Sequence, residues 1–226
     1  MKIDKEVSQY LEGEMLSNGH PFRIERSEVV RRNDLLVRLA DGLVVLHVGC
    51  ADHVELIQAK RETGSYLHDL LSGSAARVVG SDINEDALER MRQMGTVDLY
   101  SAGEVPSDLS FDLVLVPDVI EHIPNVGDFL EGLRQYACDV VITTPNALRM
   151  HNRLLFTHEL VNTDHRYWFS PYTLAKCLVT AGYDIKQMWY TDTLSRRSPV
   201  RSWLKRTYPA CRDGLAIRAT PRPEPG

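Results

Sequence analysis

Leu43-Val44-Val45-Leu46-His47-Val48-Gly49-Cys50-Ala51-Asp52-His53 is the stretch on which the fold of this chain turns. A short apolar run closed by glycine has the length and composition of a buried strand. Ending on Gly49 matters, because backbone without a Cβ can approach a ligand closely. A second run, Val78-Val79-Gly80-Ser81-Asp82, ends in an acid able to accept hydrogen bonds from both hydroxyls of a ribose.

Working outward from Val44, short apolar runs alternate with helical patterns, the signature of βαβ units and a parallel sheet. Strands are expected at Val44 to Val48, Arg77 to Ser81, Asp98 to Ser101, Leu113 to Pro117 and Val140 to Thr143, with Asp184 to Thr191 and Gly214 to Ala219 closing the sheet. Asp86 to Met94, Gly127 to Ala137 and Tyr172 to Ala181 carry apolar residues at helical spacing, the last stopped by Gly182. The expected fold is α/β: a Rossmann-like, doubly wound, mostly parallel seven-stranded sheet flanked by helices. Residues 1–40 form a helical lead-in, with Ser27-Glu28 able to start a helix running to Ala40, and act either as a lid or as plain cover for the sheet. The main domain spans 41–220, and the Pro-rich tail 221–226 is expected to fray.

Composition narrows the function classes. The chain has 226 residues, 43% of them hydrophobic, which suits one globular domain. No apolar run approaches the roughly 18 residues of a membrane span, and the charged start, Met1 to Tyr10, lacks the apolar core of a signal peptide, so a cytoplasmic location is expected. Four dispersed cysteines, without a Cys-x-x-Cys pair, signal neither a zinc site nor a disulfide scaffold. A net charge of -5 argues against nucleic acid as partner and favours a small-molecule substrate. The exception is the basic run with Arg196, Arg197, Arg201, Lys205, Arg206 and Arg212. It reads as a solvated loop or as a lip for a substrate's acidic group; Trp203 and Leu204 within it also suit a membrane surface. Monomer and homodimer both remain open.

Taken in order, these motifs resemble the class I S-adenosylmethionine-dependent methyltransferases, in particular the small-molecule branch that includes ubiquinone-type O-methyltransferases. The resemblance runs from Val44 to Ala219. It is carried by Leu46 to Ala51, by Gly80-Ser81-Asp82-Ile83, by Phe111 to His122, by Thr143-Thr144-Pro145-Asn146 and by Asp164 to Pro171. It implies S-adenosylmethionine as cofactor and S-adenosylhomocysteine as product. Gly49, Cys50 and Ala51 would line the methionine part, Asp82 would hold the ribose, Ile83 would pack on adenine, Ser101-Ala102 would lie beside its amino group, and Pro117-Asp118 would close the pocket. His47 stands where the family has an acid, and a neutral imidazole there can exchange one hydrogen bond with the cofactor or simply be satisfied within the protein. Ala51 and His53 replace two further family glycines, and the spacing from Gly49 to Asp82 points to an insertion, between His53 and Ser72, that holds Tyr66 and His68. The Pro-Gly-Gly turn common before the fifth strand is missing between Tyr136 and Val140.

Methyl transfer from a sulfonium is an in-line displacement, so the protein must align the reacting atoms and need not supply a nucleophile. A hydroxyl acceptor also needs a base, for which histidine suits neutral pH. His122, just beyond the fourth strand, ranks first and His165 second, against a reading in which Glu121-His122 only caps the following helix. Asn146, Asp164, Tyr167 and Trp168 are the expected substrate contacts, while Phe169 reads as core. His20, His151 and His158 read as surface residues. Asp118, Glu121 and His122 lie near one face of a turn and would suit a divalent ion, yet they make no complete ligand set, and no metal is assigned. The expected reaction is methylation of an oxygen on a small molecule such as a sugar, a glycoconjugate precursor or a secondary metabolite. The alternatives are N-methylation and a binding subunit that has lost catalysis, the latter motivated by His47, Ala51 and His53.

Overall fold

The protein, a computed structural model, is described at residues 5–16, 19–23, 25, 27–153, 162–194 and 197–223. In chain order the elements are α1 (Lys5–Glu12), α2 (Arg32–Ala40), β1 (Val44–Val48), α3 (Val54–Glu62), α4 (Leu67–Ser72), β2 (Arg77–Asp82), α5 (Glu85–Gln93), β3 (Leu99–Ser101) and β4 (Leu113–Pro117). There follow α6 (Val126–Leu133), β5 (Asp139–Pro145), α7 (Met150–Arg153), α8 (Pro171–Thr180), β6 (Tyr183–Thr191), α9 (Pro199–Thr207) and β7 (Gly214–Pro221).

The strands form one seven-stranded sheet in the order β3-β2-β1-β4-β5-β7-β6. All pairings from β3 to β5 are parallel, and β7 runs antiparallel to both β5 and β6. This is the expected doubly wound sheet. The parallel strands are apolar on both faces because helices cover both. On one face α1, α6 and α8 bury Leu11, Leu130 and Leu178 against Leu46, Val114 and Ile142. On the other, α2 and α4 bury Leu36 and Leu71 against Val45 and Leu115, and α3 and α5 pack Ile57 and Met91 around Tyr66. The strand order reverses between β1 and β4, and the crevice beyond the carboxyl ends of those two strands is where open α/β sheets bind ligands.

Local chemistry explains the element ends. The Asn84 side chain accepts the amide hydrogen of Ala87 and so caps α5. Ser170 and Thr173 form a reciprocal capping box at α8, and Gly182, at φ +84°, turns the chain into β6. The supposed insertion is two helices, α3 and α4. The N-terminal helix α2 begins at Arg32 rather than at Ser27, because the Ser27 hydroxyl is taken by the guanidinium of Arg212. The chain end is held as far as Arg222, whose guanidinium pairs with Glu12 and Asp184; 224–226, like His158 and Arg196, lie outside the described residues. Among the described residues no helix is long and apolar enough to cross a membrane.

Arg212 is buried completely and works as a hub. It donates to the carbonyls of Ser27, Glu28, Tyr190 and Lys205. Removing it breaks the buried bonds to the Tyr190 and Lys205 carbonyls, each costing about 1–3 kcal/mol, and frees the part-buried Ser27 and Glu28 carbonyls as well. Chemical denaturation should therefore show Arg212→Met losing at least about 3 kcal/mol of stability, with hydrogen exchange at residues 27–31 rising ahead of the sheet; unchanged stability would contradict the assigned role.

Candidate active site

The turn out of β1 is made by Gly49, at φ +71°. A Cβ there would stand 2.2 Å from Cγ2 of Val119, so the turn and the end of β4 come together only with glycine at this position. The turn is tied to β2. Gly49 and Cys50 donate to the Ser81 carbonyl at 2.8 and 3.3 Å, and Ala51 donates to Oδ2 of Asp82 at 2.9 Å. Oδ1 of Asp82 accepts from the Asn84 amide, also at 2.9 Å. A carboxylate has roughly four lone-pair sites, so both oxygens retain capacity for hydroxyl donors. Next to Asp82, Ile83 is 87% exposed, and Ala102, whose amide donates to the Asp82 carbonyl, is exposed as well. Ser101, at the end of β3, is half-buried beside them. An acid flanked by an uncovered apolar shelf fits the ribose and base of a nucleoside.

The loop is braced from below by residues whose role was not legible in sequence. The Tyr66 hydroxyl donates to the Cys50 carbonyl at 3.0 Å, and the Cys50 side chain is buried in the core, leaving only its backbone near the crevice. His47 does not face the crevice: it shares the Val45 face of β1, where its ring stacks on His68 of α4 with 3.2 Å between their Nδ1 atoms. One nitrogen donates and the other accepts, so the two neutral rings are opposite tautomers. Burial depresses both pKa values, that of His68 to about 4, and the neighbouring His68 and Arg32 lower that of His47 further.

Across the crevice, β4 ends in Pro117 and in Asp118, a non-glycine residue at φ +51°. Thr143 fixes this conformation, accepting the Asp118 amide through its carbonyl at 3.0 Å and donating its hydroxyl to Oδ1 at 2.8 Å. Arg32, the first residue of α2, closes an ion pair on the other oxygen, so the N-terminal segment reaches the site. A 3₁₀ turn, Ile120–His122, follows. Glu121 is buried; Thr144 donates to its Oε2 at 3.0 Å, while Oε1 has no hydrogen-bond partner. Burial and the nearby Asp118 carboxylate push its carboxyl up to about 7.

The segment after β5 is folded onto this turn. The Arg166 amide donates to the Glu121 carbonyl, and His122 Nδ1 lies 2.9 Å from the Asp164 carbonyl. His165 meets His122 edge-to-face at 4.8 Å and Trp168 at 5.7 Å, and Arg149 stacks on the Trp168 ring. The buried Nδ1 of His165 lacks a partner, and burial together with His122 lowers its pKa. Asp164 takes part through its backbone, and the Tyr167 hydroxyl donates to the Pro124 carbonyl. Phe169 is in the core, as expected. Asn146 is not brought to the crevice: it is fully buried, and its amide is spent on the backbone of Ala210, Arg212 and Leu148.

A cavity of about 450 Å³ opens beside Asp118 and Thr144, lined also by Arg32, Arg149, Arg201 and Lys205, a size suited to a small molecule. The basic run is largely committed. Lys205 is buried between Asp192 and Asp213, Arg201 lies 3.5 Å from Asp213, and Arg212 is the hub already described. His20, expected at the surface, is mostly buried against Tyr10 and Glu6, whereas His151 is exposed.

A family profile described as a methyltransferase domain matches residues 23–188. The chain belongs to that family. Solved structures agree on the fold. An S-adenosylmethionine-dependent methyltransferase from Mesorhizobium loti is 17% identical over 82% of this chain and 96% of its own, with a TM-score of 0.55. Magnesium protoporphyrin IX methyltransferase from Synechocystis, solved with bound S-adenosylhomocysteine, is 18% identical over 84% of this chain and 82% of its own, with a TM-score of 0.54. No curated protein matches the sequence. The chain is therefore an S-adenosylmethionine-dependent methyltransferase.

The buried imidazole pair makes stability depend on pH. His68 titrates near 6.5 when unfolded and near 4 when folded, so the unfolded state binds the proton first on acidification. The contribution is complete above pH ~6.5 and is lost as pH falls towards 4, by about 3 kcal/mol at roughly 1.4 kcal/mol per pH unit. Melting temperature should fall more steeply across this window in the native sequence than in a His47→Leu/His68→Leu double variant; parallel curves would rule the pair out as the cause.

Proposed function

We propose that this methyltransferase acts on an oxygen of a small molecule bound in the cavity beside Asp118, with His122 or His165 accepting the hydroxyl proton. When bound, S-adenosylmethionine supplies an electrophilic methyl carbon. The chain's own task is to hold donor and acceptor in line and to take up a proton. Asp82, Ile83 and Ala102 are the residues that would hold the nucleoside, with the backbone of Gly49 to Ala51 beside the methionine part. Asp118 would close the pocket on the other side.

One observation carries the proposal: two imidazoles meet edge-to-face at the same sheet edge as the nucleoside shelf. Neither imidazole lines the cavity itself; Thr144, which does, donates to Glu121, the chain neighbour of His122. Burial keeps His165 neutral at pH 7, so one of its nitrogens has a lone pair to accept a proton. Lining by Thr144, Thr191, Ser198 and Ser202 suits a hydroxyl-rich acceptor such as a sugar or glycoconjugate precursor, and Arg149 and Arg201 suit an acidic group on it.

The protein should therefore move a labelled methyl group from S-adenosylmethionine onto hydroxyl-bearing acceptors, read by mass spectrometry of the product. His122→Ala should lower turnover by about 10²-fold or more if it is the base, and a loss below about threefold would transfer that role to His165. Label appearing on nitrogen instead would overturn the proposal.

A further inference from the structure

We propose that Glu121, His122 and His165 together bind a divalent first-row transition ion. Sequence spacing offers Asp118, Glu121 and His122; the fold commits the Asp118 carboxylate to Thr143 and Arg32 and adds His165, more than forty residues later, by laying its segment across the 3₁₀ turn after β4. One potential ligand atom from each of the three lies within 4.8 Å of the others. Tetrahedral ligands of an ion bound at about 2.1 Å stand about 3.4 Å apart, so rotation of the two half-buried imidazoles by roughly an ångström at their tips closes the set.

Orphaned atoms in the same place point the same way. Glu121 is only 1% exposed, yet its Oε1 has no hydrogen-bond partner, and neither has the buried Nδ1 of His165. Native proteins rarely leave such groups unsatisfied, and an ion is one of the standard explanations. The supporting contacts also match those of metal ligands. A carbonyl can only accept, so the 2.9 Å contact to Asp164 puts the hydrogen of His122 on Nδ1 and the lone pair on Nε2. Metal-bound histidines are oriented in this way by a carbonyl behind them. Thr144 fixes the other oxygen of Glu121, so Oε1 remains for the ion.

Two imidazoles and one carboxylate favour Mn²⁺, Fe²⁺, Co²⁺ or Zn²⁺ over Mg²⁺, which prefers oxygen ligands alone. Three protein ligands also leave coordination positions open, as in sites that bind a reacting oxygen rather than purely structural ones. The inference deepens, and in its use rests on, the oxygen-methylation reading. In the loaded protein the histidines would be ligands instead of bases, and the ion would lower the proton affinity of the acceptor hydroxyl, whose proton would pass to solvent water as its oxygen takes the methyl and the sulfonium leaves as the neutral thioether.

The test uses full-length protein without an affinity tag, titrated with Mn²⁺ alone while the free-ion signal is followed by electron paramagnetic resonance. We expect one Mn²⁺ per chain, displaced by Zn²⁺, with affinity lowered at least tenfold in His122→Gln and in His165→Gln and unchanged in the exposed control His151→Gln. Circular dichroism checks that the variants fold. The two histidine variants keep the test decisive even if Glu121→Ala, at a buried position, does not fold. No stoichiometric binding at millimolar Mn²⁺ or Zn²⁺, or an affinity unmoved by both histidine substitutions, would overturn the site. Absent ion binding with methyl transfer intact would sink this inference alone; ion binding in a protein that takes up no S-adenosylhomocysteine would spare it and remove the transfer reading.

Discussion

Three hydrogen bonds tie the turn after β1 to the end of β2, two to the Ser81 carbonyl and one to the Asp82 carboxylate. The site depends on them. They set Asp82 beside backbone that only a glycine at φ +71° can present, and the same glycine leaves room for Val119 at the end of β4. A single strand-to-helix turn thus fixes both walls of the crevice where the strand order reverses. Tyr66 and the His47–His68 stack hold the turn from the core side, so an apparent insertion is the support of the Gly49 turn.

The opposite wall is built by a different device. Asp118 is held in a left-handed conformation by Thr143 and Arg32, and the chain beyond it is clamped by the segment that returns at 164–168. Strain of this kind persists only where the surroundings over-determine it. It aims Glu121 and His122 at His165 across the carboxyl edge of the sheet. Residues far apart in sequence thus form one cluster of a carboxylate and two imidazoles.

Much of this was legible in the sequence, for physical reasons. The parallel strands are buried on both faces, so they read as apolar runs, and Val44–Val48 and Leu113–Pro117 end where the pattern ends. Asp82 stands out because an acid that ends the strand beside a glycine turn can accept hydrogen bonds from ribose hydroxyls, and Asp118 because the family resemblance puts it at the pocket's edge. The helices at 54–72 read as an insertion because the spacing from Gly49 to Asp82 is longer than the family's, and α3, mostly polar with Ile57 its only fully buried side chain, leaves little apolar pattern to mark it. Sequence could not pair His47 with His68, since nothing local marks a partner two helices on, in α4. Nor could it show that Asn146 is spent on backbone, or that Lys205 and Arg212 in the basic run are buried structural cations. Side chains whose partners lie far along the chain are where reading by pattern stops.

The central claim is that the turn at Gly49 and the carboxylate of Asp82 together hold the cofactor's nucleoside. Calorimetric titration with S-adenosylhomocysteine tests it most directly, comparing the native sequence with Asp82→Ala. The account predicts one site per chain in the native protein and an affinity at least tenfold weaker in the variant, with the fold retained. Equal affinity in the two proteins, or no binding to the native one at millimolar ligand, would contradict it.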